Sequence, residues 1–188
     1  MQTYQLIESE SFYVIVMEYA PGGELFELIK ERPKMGEEEV RFYVVETLLA
    51  IRYLHLNGVI YRDVKPENII LDHEGHVKLT DFGLAKRGNE RSYSFCGSLD
   101  YMAPEVITDY GYGYEIDYYS VGNLMYELLV GSPPFYHPNF SQEETKFHIL
   151  NTKIFIPQHI KLSKEAVSLL ELLLEKDPVK RIGHYGGV

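Results

Sequence analysis

The stretch YRDVKPEN at residues 61–68 sets a carboxylate, an ammonium group and an amide between two apolar segments. Burying such groups costs free energy unless each one has a partner. Asp63 could orient a hydroxyl group and accept its proton, while Lys65 could offset the negative charge of a phosphate. Asn68, together with Asp81 in the tripeptide DFG, offers oxygen ligands suited to Mg²⁺. These residue types suit phosphoryl transfer, which depends on positioning and charge neutralisation. A loop of ordinary salt-bridged charges is the alternative.

A long helix is predicted directly before this polar stretch, over Glu37–His55. Its first turn is acidic, which complements the positive end of the helix dipole. Asn57-Gly58 is expected to end it. Its apolar residues fall on one side, which predicts a face packed on a core: Val40, Val44, Leu48, Ile51 and Leu54.

Two short strands, Asn68–Leu71 and Val77–Thr80, are predicted directly after the polar stretch, joined by the turn-forming sequence DHEG. This hairpin would bring the two candidate metal ligands to the same end of adjacent strands. Gly83 would permit the backbone turn after Asp81 that begins a long Gly- and Ser-containing loop, which reaches about Met102.

The remaining pattern predicts a mostly helical α+β protein. Ile116–Val130 is apolar nearly all round, which is typical of a buried central helix. The other predicted elements are two strands, Tyr4–Ile7 and Phe12–Met17, and three helices, at 24–30, 143–151 and 164–175, the last with Ser163 as its N-cap.

Composition excludes several classes of protein. The formal net charge of −10 argues against nonspecific nucleic-acid binding, which needs a basic surface. No apolar run is long enough for a membrane span, and the first residues lack the pattern of a signal peptide. A single cysteine, Cys96, fits a reducing compartment, so we expect a cytoplasmic location.

Three motifs occur in order: YRDVKPEN at 61–68, DFG at 81–83 and APE at 103–105. Together they are highly specific, and the sequence resembles a protein serine/threonine kinase over essentially all 188 residues. The segment SFCGSLDYMAPE and the tyrosine at position 61 are similar to the AGC group. The resemblance implies a protein-kinase-like fold with a mainly helical large lobe and short β-hairpins. It also implies ATP and Mg²⁺ as cofactors and a protein substrate.

The same resemblance divides the chain into three parts: 1–16 as residual small-lobe strands, 17–23 as the hinge, and 24–188 as a large lobe incomplete at its C-terminus. No glycine-rich phosphate loop and no strand lysine precede the hinge, so most of the small lobe is expected to be absent. We therefore expect the 188-residue chain alone to have weak activity or none.

Site residues follow from the resemblance at matching positions. Ser98 would hydrogen-bond Asp63 and Lys65. The nucleotide would be bound by the hinge and its surroundings: Met17 as the gatekeeper, backbone groups of Glu18 and Ala20 at the adenine, Glu24 at the ribose, Glu67 nearby, and Ile70 beneath the base. For Met17 and Ile70 a plain core role is the alternative.

Regulation and substrate choice are also implied. Ser94 would be the activation-loop phosphosite, modified by an upstream kinase, with Arg62 and Lys86 pairing its phosphate. Three acids would contact arginines of a basic peptide substrate: Glu24, Glu67 and Glu127.

Other matches are expected to be structural. Asp117 would hold the backbone of the catalytic loop, and Glu105 would form a buried pair with Arg181. The family usually has a tryptophan at the position of Tyr118 or Tyr119, so we expect repacking there without loss of the fold.

Three functions stay open: an AGC-type kinase of which this chain is a part, a catalytically silent kinase-like binding or regulatory module, and a small-molecule phosphotransferase of similar fold. The four intact polar residues of the two motifs favour the first. The APE segment argues against the third, because it shapes a groove for a polypeptide.

Overall fold

The computed structural model describes residues 1–88 and 91–184, and Asn89, Glu90 and residues 185–188 of the predicted large lobe lie outside the described residues. The described part has six α-helices and three two-stranded antiparallel sheets, so the predicted α+β class is confirmed. The strands are β1 (Thr3–Glu8), β2 (Tyr13–Met17), β3 (Val59–Ile60), β4 (Ile69–Leu71), β5 (Val77–Leu79) and β6 (Lys86–Arg87). The helices are α1 (Leu25–Glu31), α2 (Glu37–Leu56), α3 (Pro104–Ile107), α4 (Glu115–Val130), α5 (Gln142–Asn151) and α6 (Lys164–Leu173).

Helix α4 lies at the centre of the core, as its apolar sequence predicted. Every residue from Glu115 to Leu129 is buried, and α2 and α6 pack against it. Gly122 lets α6 approach closely, because a Cβ added there would lie 2.9 Å from the Leu173 Cβ atom. Gly131 ends the helix with a φ of 103°, the left-handed conformation favoured by glycine at a helix end.

Polar caps fix how the outer helices begin. The Ser163 hydroxyl accepts a hydrogen bond from the Ala166 N–H at 3.1 Å, which confirms the predicted N-cap of α6. Glu37 in the first turn of α2 accepts from the Ser163 N–H at 2.9 Å and from the Ser163 hydroxyl. The acidic start of α2 therefore ties α2 to α6, in addition to complementing the α2 dipole.

Two small sheets frame the polar loop. Ile69 pairs with Leu79 in the β4–β5 hairpin, and Ile60 at the end of β3 pairs with Lys86 of β6. Glu46 of α2 fastens the hairpin by accepting from the Val77 N–H at 2.8 Å. The segments on both sides of the loop are thus fixed to the helical body.

The β1–β2 hairpin differs from the rest because all of its residues are exposed. Leu6 lies opposite Ile15 and Ile7 lies opposite Val14, so apolar side chains occupy both faces of the ribbon. A two-stranded sheet with two exposed apolar faces is marginally stable by itself in water.

Tyr118 and Tyr119 are both fully buried in α4, and the expected repacking there stays a prediction. A cavity of about 140 Å³ beside Tyr118 is lined also by His55 and Tyr114.

Across residues 1–88 and 91–184, no helix is long and apolar enough to cross a membrane.

Candidate active site

The loop that carries Asp63 is held by Asp117, in the first turn of α4. The Asp117 carboxylate is fully buried and accepts the Tyr61 N–H at 2.9 Å and the Arg62 N–H at 2.8 Å. Arg62 has a φ of 71°, a left-handed conformation that costs a non-glycine residue about 1–3 kcal/mol. The two hydrogen bonds hold this strained residue and thereby aim the Asp63 that follows it.

A histidine that sequence reasoning missed supports Asp117 from the other side. His55 in the last turn of α2 lies with its Nε2 atom 2.7 Å from Asp117 Oδ2. Its ring packs against Tyr114 and Tyr118, with centroids 4.8 and 5.3 Å away. The sequence signal for this contact was a histidine at the end of a helix that leads directly into the polar stretch 61–68.

Asp63 is the centre of a closely hydrogen-bonded cluster and is buried, with 7% of its surface exposed. Lys65 Nζ lies 2.9 Å from Asp63 Oδ2, and the Asn68 amide donates to the same oxygen at 2.7 Å. The Ser98 hydroxyl donates to Asp63 Oδ1 at 3.4 Å and accepts from Lys65 at 3.0 Å. Both contacts implied for Ser98 are present, and its catalytic role stays a prediction.

Asp81 follows β5 and lies beside Asn68, because the Thr80 N–H donates to the Asn68 carbonyl at 3.0 Å. Asp81 itself makes the sharp turn, with a φ of 50°. The role expected for Gly83 therefore needs correction. Its N–H donates to Asp81 Oδ1 at 3.0 Å, and an added Cβ would lie 3.0 Å from that oxygen. Gly83 serves close approach to the carboxylate, and the left-handed turn lies at Asp81.

Tyr61 connects the two motifs, a role that sequence reasoning did not assign. Its hydroxyl donates to the Thr80 carbonyl, and its ring meets Phe82 edge to face at 5.4 Å between centroids. Burial raises the pKa of the Tyr61 phenol, so the hydroxyl keeps the proton that it donates. The backbone before Asp81 is thus tied to the residue two positions before Asp63.

Asn68 and Asp81 suit Mg²⁺ that arrives with phosphate groups. The Asn68 NH₂ group donates to the Asp63 carbonyl at 2.9 Å and to its carboxylate, so the amide oxygen is the atom that could bind a metal ion. The described part of the chain contains no cluster of three or more His, Cys, Asp or Glu able to hold a metal. One carboxylate and one amide oxygen form a typical protein share of a Mg²⁺ shell completed by phosphates and water.

Two of the predicted nucleotide-binding residues meet at β4, where Glu24 forms an isolated bridge with Ile70. The Gly22 N–H donates to the Leu71 carbonyl at 2.8 Å, and a Cβ at Gly22 would lie 2.6 Å from that oxygen. This contact requires glycine and brings the predicted hinge against the strand. Of the predicted nucleotide-binding residues, Met17 and Glu24 are exposed, Glu18, Ala20 and Ile70 are partly buried, and Glu67 lies in the 3₁₀ turn before β4.

Glu18 uses its side chain and N–H within the fold. The carboxylate contacts Lys78 Nζ at 2.6 Å, and the N–H donates to the Gln2 carbonyl at 2.8 Å. The hydrogen bond to Lys78 lowers the pKa of the Glu18 carboxyl. The adenine contact expected from the backbone of Glu18 stays a prediction.

The predicted substrate acids divide into two environments. Glu24 is exposed, whereas Glu127 has 8% of its surface exposed and accepts a hydrogen bond from the Tyr101 hydroxyl. Burial, opposed by the Tyr101 hydrogen bond and supported by the nearby charges of Glu67 and Asp100, raises the pKa of Glu127 to about 7. Asp100 and Tyr101 are members of this acidic cluster that sequence reasoning missed. We call Glu67, Asp100, Tyr101 and Glu127 the acidic pocket.

The expected phosphosite Ser94 is exposed on the loop before the APE motif. Arg62 points toward this loop, with Nε donating to the Leu84 carbonyl at 2.5 Å. Lys86 Nζ reaches the Arg91 carbonyl at 3.5 Å, so its described contact lies three residues before Ser94. Phosphate pairing by Arg62 and Lys86 stays a prediction.

The expected buried brace between Glu105 and Arg181 is present. The guanidinium donates to Glu105 Oε1 at 2.5 Å and to Oε2 at 3.0 Å, and both residues are at least 97% buried. Arg181 also donates to the carbonyls of Glu115 and Glu175, at 3.0 and 2.8 Å. The APE segment is thereby fixed to α4 and to the chain after α6.

The fold, the cluster around Asp63 and the order of the three motifs define a protein kinase domain. The family model described as "Protein kinase domain" matches residues 1–185, and the chain belongs to this family. Membership implies the use of ATP.

Among curated proteins, the chain is 45% identical over 179 residues to the RAC family serine/threonine-protein kinase homolog of Dictyostelium discoideum, covering 93% of this chain and 39% of that protein. It is 42% identical over 186 residues to ribosomal protein S6 kinase 2 alpha of Xenopus laevis and to ribosomal protein S6 kinase alpha-1 of Homo sapiens. Each of these matches covers 97% of this chain and 25% of the relative. RAC and S6 kinases belong to the AGC group, so the resemblance to that group is confirmed.

Proposed function

We propose that the protein carrying this chain transfers the γ-phosphoryl group of ATP to serine or threonine hydroxyls of proteins. The observation that carries the proposal is the Asp63 cluster, in which Lys65, Asn68 and Ser98 all contact one buried carboxylate. Relatives whose names include serine/threonine-protein kinase support the choice of acceptor.

Each group in the cluster has a task in this reaction. Asp63 orients the acceptor hydroxyl and receives its proton, and Ser98 and Asn68 hold that carboxylate in place. Lys65 offsets negative charge on the phosphoryl group as it moves. Asn68 and Asp81 would hold Mg²⁺, which supplies charge neutralisation at the phosphates.

Basic, arginine-containing sites are the proposed substrates. The acidic pocket supports this, because Glu127 is buried beside other acids and its described contact there is a neutral tyrosine. A guanidinium group pairs bidentately with a carboxylate and would supply the missing positive charge. Glu24, exposed directly after the predicted hinge, is the third proposed contact.

Phosphorylation of Ser94 by an upstream kinase is the proposed activating step. The phosphate would bring a charge of roughly −1.5 to −2 close to Arg62, which directly precedes Asp63. A reducing, cytoplasmic setting is also part of the proposal, supported by the single cysteine.

A test is phosphate transfer from ATP to an arginine-containing peptide, measured for the full-length protein and for its Asp63→Asn variant. We expect at least a thousandfold loss of turnover in the variant, which corresponds to about 4 kcal/mol of transition-state stabilisation. The same assay on the 188-residue chain alone should give weak turnover or none. Robust turnover by the Asp63→Asn full-length protein would overturn the assignment of the base.

A kinase-like binding module is the second candidate, favoured by the β1–β2 hairpin with its exposed apolar faces. Such a module would show no Asp63-dependent turnover in any form of the protein. The Asp63→Asn comparison therefore separates the two functions.

A further inference from the structure

Tyr112, in the linker between α3 and α4, reaches both the catalytic loop and the loop that carries Ser94. Its side chain is buried, and its hydroxyl donates to the Ser94 carbonyl at 2.7 Å. The Arg62 Nη1 atom donates to the same hydroxyl at 3.3 Å. One oxygen atom thus joins the residue before Asp63 to the backbone of the expected phosphosite.

The backbone of Tyr112 is fixed as well. Its N–H and C=O exchange hydrogen bonds of 2.9 Å with Ser92, which forms an isolated β-bridge. The buried Ser92 hydroxyl accepts a second hydrogen bond from Arg62 Nη1, at 3.1 Å. This double attachment fixes the position of the phenol, so its contact with Arg62 is built into the fold.

Arg62 has neutral partners in this arrangement. Over residues 1–88 and 91–184, the hydrogen bonds of its guanidinium end on the Leu84 carbonyl, the Ser92 hydroxyl and the Tyr112 hydroxyl. Neutral oxygens orient a guanidinium group but leave its charge available for an anion. The hydroxyls of Ser92 and Tyr112 therefore hold Arg62 where a phosphate on Ser94 would later find it.

A buried tyrosine that only fills space needs one hydrogen-bond partner, and a backbone carbonyl would suffice. The Tyr112 hydroxyl instead accepts from a cation of one segment and donates to a carbonyl of another. Burial raises the pKa of the Tyr112 phenol, so the group remains a neutral hydroxyl able to do both.

We propose that Tyr112 is a positioning residue whose hydroxyl joins Arg62 to the backbone at Ser94 and orders this loop before Ser94 is phosphorylated. The inference rests on the proposed regulation through Ser94. It adds a phosphate-independent device that keeps the loop close to its active arrangement in the unmodified protein.

The first test is limited proteolysis of the unphosphorylated full-length protein. Tyr112→Phe keeps the ring and removes the hydroxyl, and Tyr110→Phe is the matched control, because Tyr110 is 72% exposed in the same linker. We expect chymotrypsin to cleave after Phe95 about tenfold faster in Tyr112→Phe, because two hydrogen bonds to the loop and to Arg62 are lost. Tyr110→Phe should match the wild type.

Trypsin cleavage after Lys153, an exposed site beyond α5, reports any general loosening of the fold. An unchanged rate after Phe95, or equal acceleration at Phe95 and Lys153, would overturn the proposal.

The second test is kinetic and compares unphosphorylated protein with protein phosphorylated at Ser94. In the unphosphorylated state, Tyr112→Phe should lower kcat about tenfold with little change in KM for ATP, because the loss lies in the loop that orders the site. Phosphorylation should reduce this defect below about twofold, since the phosphate then holds Arg62 directly. A defect of equal size in both states would contradict the proposal. If the wild type itself transfers no phosphate, the proposed function fails, while the proteolysis result still decides the role of Tyr112.

Discussion

Glu105 and Glu127 are both buried carboxylates, one on α3 and one on α4, but their surroundings are opposite. Glu105 meets the guanidinium of Arg181 in a bidentate pair, and the remaining donors of Arg181 reach backbone carbonyls. Glu127 accepts a hydrogen bond from Tyr101 and lies close to two further carboxyl groups, Glu67 and Asp100. The negative charge of Glu105 is paired with a cation of the same chain. The Glu127 carboxyl group instead lies close to other acidic groups.

This difference separates a structural carboxylate from one built to receive a ligand. A buried charge that has its partner within the fold stabilises one arrangement of the chain, and losing that partner is costly. Ionisation of a buried carboxyl group beside other acids is unfavourable, and a cation bound from outside the chain can make it favourable. We therefore interpret the Glu105–Arg181 pair as a brace and the acidic pocket as a candidate arginine site.

The largest effect should come from breaking the brace. Arg181→Ala leaves Glu105 buried without its cation, and we expect a loss of about 3–5 kcal/mol in the free energy of unfolding. Urea denaturation followed by circular dichroism measures it. Lys180→Ala, an exposed neighbour paired to Asp177, is the control and should change stability little. Equal stability of both variants would mean that the Glu105–Arg181 pair does not brace the fold.

Ionised Glu127 in the acidic pocket should destabilise the folded state. The pKa of Glu127 is about 7 in the folded protein against a usual value of 4.5, so between these pH values the folded state holds a proton that the unfolded state has released. Protonated Glu127 therefore does not lower the free energy of unfolding below about pH 4.5. As the pH rises to 7, the free energy of unfolding falls by at most about 3 kcal/mol because of this group. Urea midpoints across this range, compared between the wild type and Glu127→Gln, isolate it. Parallel curves for the two proteins would refute the raised pKa.

Substrate selection should change by a smaller amount. Glu127→Gln removes the charge and keeps the shape, so preference for an arginine peptide over its citrulline analogue should fall about tenfold in kcat/KM. Glu24→Gln tests the exposed acid in the same way and should have the weaker effect, because solvent screens its charge. Unaltered preference in Glu127→Gln would remove this residue from the arginine site.

The smallest effect should come from the hydroxyl in the acidic pocket. The Tyr101 hydrogen bond favours the ionised form of Glu127, so Tyr101→Phe should raise the pKa of Glu127 by about one unit or less. Titration of Glu127 by NMR in both proteins measures the shift. A downward shift would mean that the protonated carboxyl group donates to the hydroxyl instead.

Most of the fold could be predicted from the sequence, because local patterns set it. The apolar residues of α4 predicted a buried helix, Ser163 predicted an N-cap, and the turn sequence DHEG predicted the β4–β5 hairpin. The contacts of Asp117 and the Glu105–Arg181 pair followed from the matched motifs and are present.

The contacts of His55, Tyr101, Asp100 and Tyr112 could not be predicted in the same way. Each belongs to a cluster formed by segments distant in sequence, and a tyrosine or acid has no local signature for its partner. Gly83 could not be fully predicted either. The DFG motif contains a glycine, but the sequence does not say whether a positive φ or close approach to the Asp81 carboxylate is the reason.

The sequence by itself determined the family, the helices and strands, and the identity of the residues around Asp63, because spacing along the chain carries that information. The tertiary structure alone decided which charged groups have a partner of opposite charge. Arg181 pairs Glu105 across the fold, Tyr112 holds Arg62 with a neutral hydroxyl, and Glu127 is left among acids. Charge balance depends on distance and burial in space, and packing of distant segments sets both.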